Sequence, residues 1–337
     1  MVSVFWVNYN SMHIINIIRK SLDVLLQLDL PQYELIIVDN GSTDGSIRVI
    51  EEHVKGAMNQ VNVKLVKLKR NMGFTGGVNA AYRARDRRSK YVAIVNNDAI
   101  PRRDYLKKLV EFLEEHKDVG AVQGKILKIG EPSVIDSAAS FINEALNVFS
   151  PFKNKLVNTF SKPLYVSYVE GTMPVYKVDA IKHVLKDDNI MYITEGFTYY
   201  LEDVFLSLML WSHGYKCMAL PIITGEHYRM ATVQKFHQSV NVFYYGSRNR
   251  VALLYMTNSR YKKGIVLKYL SGVATSKGNL TKRRIILRAL IDGIKLGKEL
   301  KERYGVIDLY KAPLMKMSLK EPLFRLLQSL AHAPPQI

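Results

Sequence analysis

Residues 34–46 read ELIIVDNGSTDGS, an apolar run that stops at an aspartate and turns at once. The β-branched run from Glu34 to Val38 predicts a buried strand, and the polar stretch from Asp39 to Asp44 predicts a turn at its carboxyl end. A carboxylate there can accept hydrogen bonds from a nucleoside base or ribose. A polar turn with a helix cap would explain the same residues equally well.

The same order of strand, polar turn and helix recurs around this stretch. Apolar runs occupy 2–7, 61–68 and 91–95, and helical patterns occupy 14–28, 46–54 and 77–84. This alternation predicts the α/β class, with a mostly parallel sheet flanked by helices. Ligands bind such sheets beyond the carboxyl ends of the strands, where the polar clusters 8–10, 39–44 and 96–98 fall.

Residues 71–79 read NMGFTGGVN, a glycine-rich stretch that leads into a helix. A loop of this kind can present backbone amides to a diphosphate. The stretch lacks the spacing of a dinucleotide-binding fingerprint and the lysine of a Walker loop. Taken alone, it is weak support for a phosphate site.

Three other places carry candidate chemistry. Asp98 ends an apolar strand and suits a hard divalent cation that bridges phosphates, although a turn before Pro101 is the alternative. Asp203 lies at the start of an apolar helix, where it could be a general base or a capping acid. His227 is either a metal ligand or a hydrogen-bonded surface histidine.

The chain has 337 residues and a formal charge of +18, which is unevenly distributed. Residues 1–259 carry 31 basic and 25 acidic side chains, whereas residues 260–337 carry 17 and 5. Because 48% of the residues are apolar, disorder across the whole chain is excluded. The single cysteine, Cys217, excludes an intrachain disulfide and a cysteine-rich zinc site.

The start of the chain has no basic segment or small-residue cleavage site, and no apolar stretch reaches bilayer length. We therefore expect a cytoplasmic protein, either soluble or peripheral on the cytoplasmic membrane face. The basic, amphipathic pattern past Tyr261 fits a helix on an anionic membrane, or a helix packed on the rest of the protein with a solvated basic face. A nucleic-acid partner is disfavoured because no recognisable motif accompanies the charge.

In this order, the segments from Val2 to His227 resemble the family 2 glycosyltransferases of the GT-A fold, particularly the rhamnosyltransferase-like branch. The resemblance implies a catalytic domain over 1–235, with a nucleotide-sugar half at 1–100 and an acceptor half at 101–235. A basic helical region follows over 236–337. The resemblance further implies that the nucleotide-sugar site uses Asn8, Asp39, Asn71, Gly73, Asn79, Asn97 and Asp98.

The same resemblance assigns the remaining roles. Asp98 matches the last position of a DXD-type motif and His227 the position of a metal-ligating histidine, which together imply Mg²⁺ or Mn²⁺. Asp203 matches the general base of an ED motif, with Glu202 and Gly171 on the acceptor side. Phe205 replaces an acidic residue often found two positions after the base.

The implied reaction is inverting, metal-dependent transfer of one hexosyl or deoxyhexosyl unit. The donor would be a nucleoside-diphosphate sugar and the acceptor a hydroxyl on a glycan or lipid-linked glycan. No QxxRW motif follows the ED pair, which favours a single transfer per encounter. Two alternatives stay open: a sugar-nucleotidyltransferase, and a non-catalytic protein that binds nucleotide sugars or a membrane surface.

Overall fold

The computed structural model describes residues 1–56, 61–193, 197, 199–229, 240–275 and 280–316. Its first hundred residues form a parallel sheet in the order β3-β2-β1-β4. The strands are β1 Val2–Asn8, β2 Tyr33–Asp39, β3 Asn62–Lys67 and β4 Tyr91–Asn96, and the helices are α1 Ile15–Leu25, α2 Ser46–Lys55 and α3 Gly73–Ala84.

The apolar strands bury both faces of this sheet, which creates two core layers. Along β1, Val4 and Trp6 join one layer and Phe5 joins the other, because successive side chains point to opposite faces. Helices α1 and α2 cover the first layer and α3 covers the second. The continuous apolar runs in the sequence therefore reflect burial on both sides.

The second half of the sheet is mixed. The next elements are β5 Ala99–Pro101, α4 Tyr105–Glu115, β6 Val119–Lys128, β7 Glu131–Ser137, β8 Phe141–Ile142, β9 Val148–Phe149, β10 Leu164–Tyr165, β11 Val175–Lys177, α5 Val178–Leu185, α6 Glu202–Ser212 and β12 Lys216–His227. Strand β11 runs antiparallel to β4 and β6, whereas β12 runs parallel to β6. The α/β class is thus as expected, and the purely parallel part is confined to β1–β4.

Two features of this half differ from the sequence pattern. The strand expected at 119–123 continues to Lys128, because β7 folds back on it as a hairpin partner. The strand-like stretch 165–169 provides only β10, which pairs with β12 through Leu164 and Tyr165. Residues 128–163, which lack a clear sequence pattern, contain β7, β8 and β9.

In the described ranges after β12, the α-helices are α7 Val240–Met256, α8 Lys262–Thr275 and α9 Leu280–Tyr304. Helix α7 adds Ala252, Leu253 and Met256 to the core layer that contains α3. Helix α9 packs against α7, with Gly293 facing Val251. Residues 236–239, where the helical region was expected to begin, and 317–337 lie outside the described part. Within that part, no helix combines the length and hydropathy needed to cross a membrane.

Candidate active site

A cavity of about 320 Å³ opens at the carboxyl ends of β1, β2 and β4. The strand register explains its position, since Asn8 pairs with Asp39 and Val7 pairs with Asn96. The lining residues are Val7, Tyr9, Asn40, Asn71, Phe74, Asn96, Asn97, Asp98, Thr172, Tyr199, Tyr200, His227 and Arg229. Four of the residues expected from the sequence are among them: Asn71, Asn97, Asp98 and His227.

Asn8 and Asp39 support the cavity rather than line it. Asn8 is fully buried, and its Nδ2 donates to Oδ1 of Asp39 at 3.0 Å and to Oγ of Ser42 at 3.1 Å. The other carboxylate oxygen of Asp39 accepts from the backbone N–H of Ser42 at 3.1 Å. This network fixes the turn after β2, so that the neighbouring Asn40 reaches the cavity.

The loop before α3 is held by two asparagines. Oδ1 of Asn71 accepts from the backbone N–H of Gly73 at 2.8 Å and from Nδ2 of Asn40 at 3.1 Å. Gly73 has a φ of +74°, a left-handed conformation that glycine adopts without strain. Asn79 lies deeper, and its amide bonds to the backbone of Met191 and Tyr192. Its role in the structure is therefore to anchor the segment that precedes α6.

Asp98 and His227 meet because β5 pairs antiparallel with β12, which sets Ala99 opposite His227. Nε2 of His227 lies 3.1 Å from Oδ1 of Asp98, and its Nδ1 lies 3.0 Å from Oδ2 of Asp136. Arg229 donates from Nε to Oδ1 of Asp136 at 2.8 Å. Burial lowers the pKa of His227, but the bonds to Asp136 and Asp98 outweigh it and raise the pKa to about 9.

Asp98 and His227 give the chain two donor atoms for a divalent cation. In the described ranges no group of three or more His, Cys, Asp or Glu side chains has a metal-binding arrangement. Cations that bridge a diphosphate need only one or two protein ligands, since phosphate oxygens and water complete the shell. Oδ1 of Asn96, buried beside them, has no hydrogen-bond partner among the described residues. The residues therefore fit a cation that is completed by a substrate diphosphate.

Asp203 lies at the start of α6, after two non-glycine residues in the left-handed region, Tyr200 (φ 68°) and Leu201 (φ 67°). Such backbone costs free energy and is concentrated at functional sites. Oδ2 of Asp203 accepts from the backbone N–H of Gly171 at 3.1 Å, and Oδ1 from that of Val204 at 2.8 Å. Asp203 does not line the cavity, but Gly171 adjoins Thr172, which does.

The pKa of Asp203 is raised, chiefly by burial of its carboxyl group. The negative charge of Glu170 adds to this rise, and the amide bonds from Val204 and Gly171 oppose it. The pKa of Glu202 is raised as well, first by burial and then by the charge of Asp203. Oε2 of Glu202 is buried without a hydrogen-bond partner in the described structure. One carboxylate of this pair is therefore poised to take a proton near neutral pH.

Several residues of the site carry no clear signal in the sequence. Asp136 lies in β7, within a stretch that shows no regular pattern, and Glu170 reaches Arg229 at 3.5 Å only through tertiary folding. Asn249 of α7 donates to the backbone carbonyls of Tyr199 at 2.7 Å and Tyr200 at 2.8 Å. The C-terminal helices thus hold one wall of the cavity, which the charge pattern alone does not indicate.

Comparison with known proteins bears on the family and the fold. The model of "Glycosyl transferase family 2" matches residues 3–185. A relative from Methanococcus voltae, "Dolichyl N-acetyl-alpha-D-glucosaminyl phosphate 3-beta-D-2,3-diacetamido-2,3-dideoxy-beta-D-glucuronosyltransferase", is 26% identical over 228 residues, 65% of each chain. The chain spans between 45% and 65% of the length of the curated relatives it matches.

Solved structures share the fold. TarS from S. aureus (residues 1–349), in complex with UDP, has a TM-score of 0.55 and 20% identity over 97% of this chain and 87% of its own. GalNAc-T7 with UDP, GalNAc and Mn²⁺ has a TM-score of 0.59 and 14% identity over 91% of this chain and 58% of its own. Together with the mixed sheet, the family match over more than half of the chain shows that this protein belongs to glycosyl transferase family 2 and has the GT-A fold.

Proposed function

We propose that this protein transfers one sugar, with inversion, from a nucleoside-diphosphate sugar to a hydroxyl of a glycan or lipid-linked glycan. The observation that carries the proposal is Asp203, a partly exposed carboxylate with a raised pKa, fixed by the amide of Gly171 beside the cavity. A base of this kind can deprotonate a hydroxyl at neutral pH. The relative from M. voltae, named as a transferase acting on a dolichyl-linked sugar phosphate, supports the acceptor class.

The donor nucleotide would occupy the cavity between the turn after β2 and the loop before α3. Asn71 would offer its Nδ2 group there, and Asn40 holds the loop in place by donating from Nδ2 to Oδ1 of Asn71 and to the carbonyl of Gly73. The aromatic rings of Tyr9 and Tyr199 add an apolar surface for a base. The solved complex of TarS with UDP supports this choice of ligand, since that protein shares the fold.

In the reaction, Asp203 takes the proton of the acceptor hydroxyl while the hydroxyl oxygen of the acceptor forms a bond to the anomeric carbon of the donor sugar. The bond from that carbon to the diphosphate oxygen breaks on the opposite side, so the configuration inverts and no covalent enzyme intermediate forms. A divalent cation, when bound, would neutralise the charge of the leaving diphosphate. Asp98 and His227 would hold this cation, and its binding requires Nε2 of His227 to release its proton.

Asp136 is the positioning residue for this pair. Its bond to Nδ1 of His227 leaves Nε2 directed at Asp98, and Arg229 holds the same carboxylate from the other side. Carboxylates that fix a ligating histidine in this way commonly affect metal affinity about 10- to 100-fold. The substitution D136N should therefore weaken Mn²⁺ binding without removing either ligand.

Donor and metal binding can be tested by thermal shift with UDP-, dTDP- and GDP-sugars, with and without Mn²⁺. We expect one nucleotide series to raise the melting temperature further when Mn²⁺ is present. D98A should abolish the Mn²⁺-dependent part and D136N should require more Mn²⁺ for the same shift. D23A, which removes an exposed aspartate of α1, is the matched control. No metal-dependent stabilisation with any donor would contradict the proposed cation site.

A further inference from the structure

Helix α9 has two faces of different chemistry. One face is buried against the body of the protein and consists of Ile286, Ala289, Leu290, Gly293, Gly297 and Leu300. The opposite face carries an exposed stripe, spaced three or four residues apart, of Leu280, Arg284, Leu287, Ile291, Lys295 and Lys298. This spacing places all six stripe residues on one side of the helix.

The apolar members of the stripe are strongly exposed. Leu280 is 67% exposed, Ile291 57% and Leu287 42%. The preceding helix α8 repeats the pattern, since Leu267 is 65% exposed and Leu270 44%, on the side opposite the buried Ile265. Exposed leucine and isoleucine at helical spacing mark a surface that contacts something apolar.

The charge on the stripe decides between partners. Helix α9 carries eight basic and three acidic side chains, and the acidic ones are Asp292, Glu299 and Glu302. Asp292 pairs within the helix with Arg288 at 3.4 Å and Glu299 with Lys295 at 4.0 Å, so basic side chains remain in excess on this surface. A second copy of the chain would set basic side chains against basic side chains, which disfavours self-association. Nucleic acid would satisfy the cations but leave the leucines exposed to water. An anionic bilayer offers both phosphate headgroups and an apolar interior.

We propose that the α9 stripe docks this protein on an anionic lipid bilayer. Docking there has a consequence for the active site, because α9 packs on α7 and Asn249 of α7 holds the carbonyls of Tyr199 and Tyr200 at the cavity wall. Helix α7 therefore connects the docked helix α9 to the wall of the cavity. This inference does not depend on the proposed reaction.

Vesicle flotation of the full-length chain tests the docking. We expect flotation with vesicles of phosphatidylcholine plus phosphatidylglycerol and little flotation with phosphatidylcholine alone. The variant R284Q/K295Q/K298Q should lower the partition coefficient on the order of a hundredfold, since each membrane-facing cation contributes roughly fivefold. L287Q/I291Q should also reduce binding, because it removes the side chains that enter the bilayer.

The matched control is R19Q/K20Q/K55Q, which removes the same charge from exposed positions on α1 and α2. It should float like the unmodified chain. Equal losses for the control and the stripe variant would overturn the proposal, because they would indicate a general charge effect. Absence of flotation by the unmodified protein would overturn it too, as would a dimer that L287Q/I291Q converts to monomer without altering flotation. Melting temperatures of all variants show whether they fold.

Discussion

At the scale of single residues, the acidic side chains of the site differ in pKa because their surroundings and hydrogen-bond partners differ. Asp136 is bonded on both sides, by His227 and Arg229, and these bonds lower its pKa although burial opposes them. Burial of the Asp203 carboxyl group, reinforced by the nearby charge of Glu170, raises its pKa although backbone amides donate to it. The pKa values of these two aspartates are therefore shifted in opposite directions, which suits Asp136 to position a neighbour and Asp203 to accept a proton.

The raised pKa of Asp203 has a consequence for the pH dependence of the reaction. A base acts only when deprotonated, so kcat/KM should fall as pH decreases through a pKa above the ordinary aspartate range. Because the negative charge of Glu170 raises this pKa, E170Q should move the acidic limb of the pH profile to lower pH.

The matched control for this shift is E131Q, which alters an exposed glutamate on β7. Its acidic limb should coincide with that of the unmodified enzyme. If the acidic limb of the E170Q profile stays in place or moves to higher pH, the limb reports the titration of a group other than Asp203.

At the scale of elements, the close approach of α7 and α9 joins two C-terminal helices, of which α7 packs on the core layer that contains α3. A Cβ at Gly293 would lie 2.6 Å from the backbone oxygen of Arg248 and 2.7 Å from Cβ of Val251. G293V should therefore separate the helices and lower the free energy of unfolding by about 1–3 kcal/mol or more.

Urea unfolding measures this change, and the control is available on the partner helix. Gly246 of α7 has open space where a Cβ would stand. G246A should leave stability unchanged or raise it by about 0.5–1 kcal/mol, since alanine favours the helix. If G293V unfolds at the same urea concentration as G246A, the helices do not pack as described.

The elements also show what the sequence predicts and where it stops. Strands β1, β2 and β4 were predictable because their apolar runs are continuous and end at Asn8, Asp39 and Asn96. The roles of their polar ends are harder to assign, because an amide or carboxylate that could bind a nucleotide can equally bond to the protein. Asn8 at the end of β1 bonds to the protein in the structure, and so does Asn79 of α3.

Contacts between distant segments account for what the sequence does not reveal. Asp136 follows no period, and its meeting with His227 depends on two strand registers, the antiparallel one of β6 with β7 and the parallel one of β6 with β12. Arg229 stands two residues after His227, which is the only local indication that it joins the site. The pairing of Glu170 with Arg229 requires the whole fold.

At the scale of the whole molecule, the charge of +18 is divided unequally between the body of the protein and its C-terminal region. The candidate site has few charged groups, placed at strand and helix ends, whereas residues 260–337 carry most of the surplus charge. One face of α9 packs on the protein, as one of the two alternatives from the sequence required, and its other face presents the basic stripe. Packing and the proposed membrane docking thus involve different faces of the same helix.

The proposed role of Asp203 as the base for sugar transfer is tested by comparing D203N with the unmodified enzyme. Transfer from the stabilising nucleotide sugar and donor affinity should be measured on the same preparations. We expect D203N to lower kcat by roughly 10²- to 10⁴-fold, the usual contribution of a general base, with donor affinity nearly unchanged. Transfer by folded D203N at the rate of the unmodified enzyme would show that Asp203 is not the base.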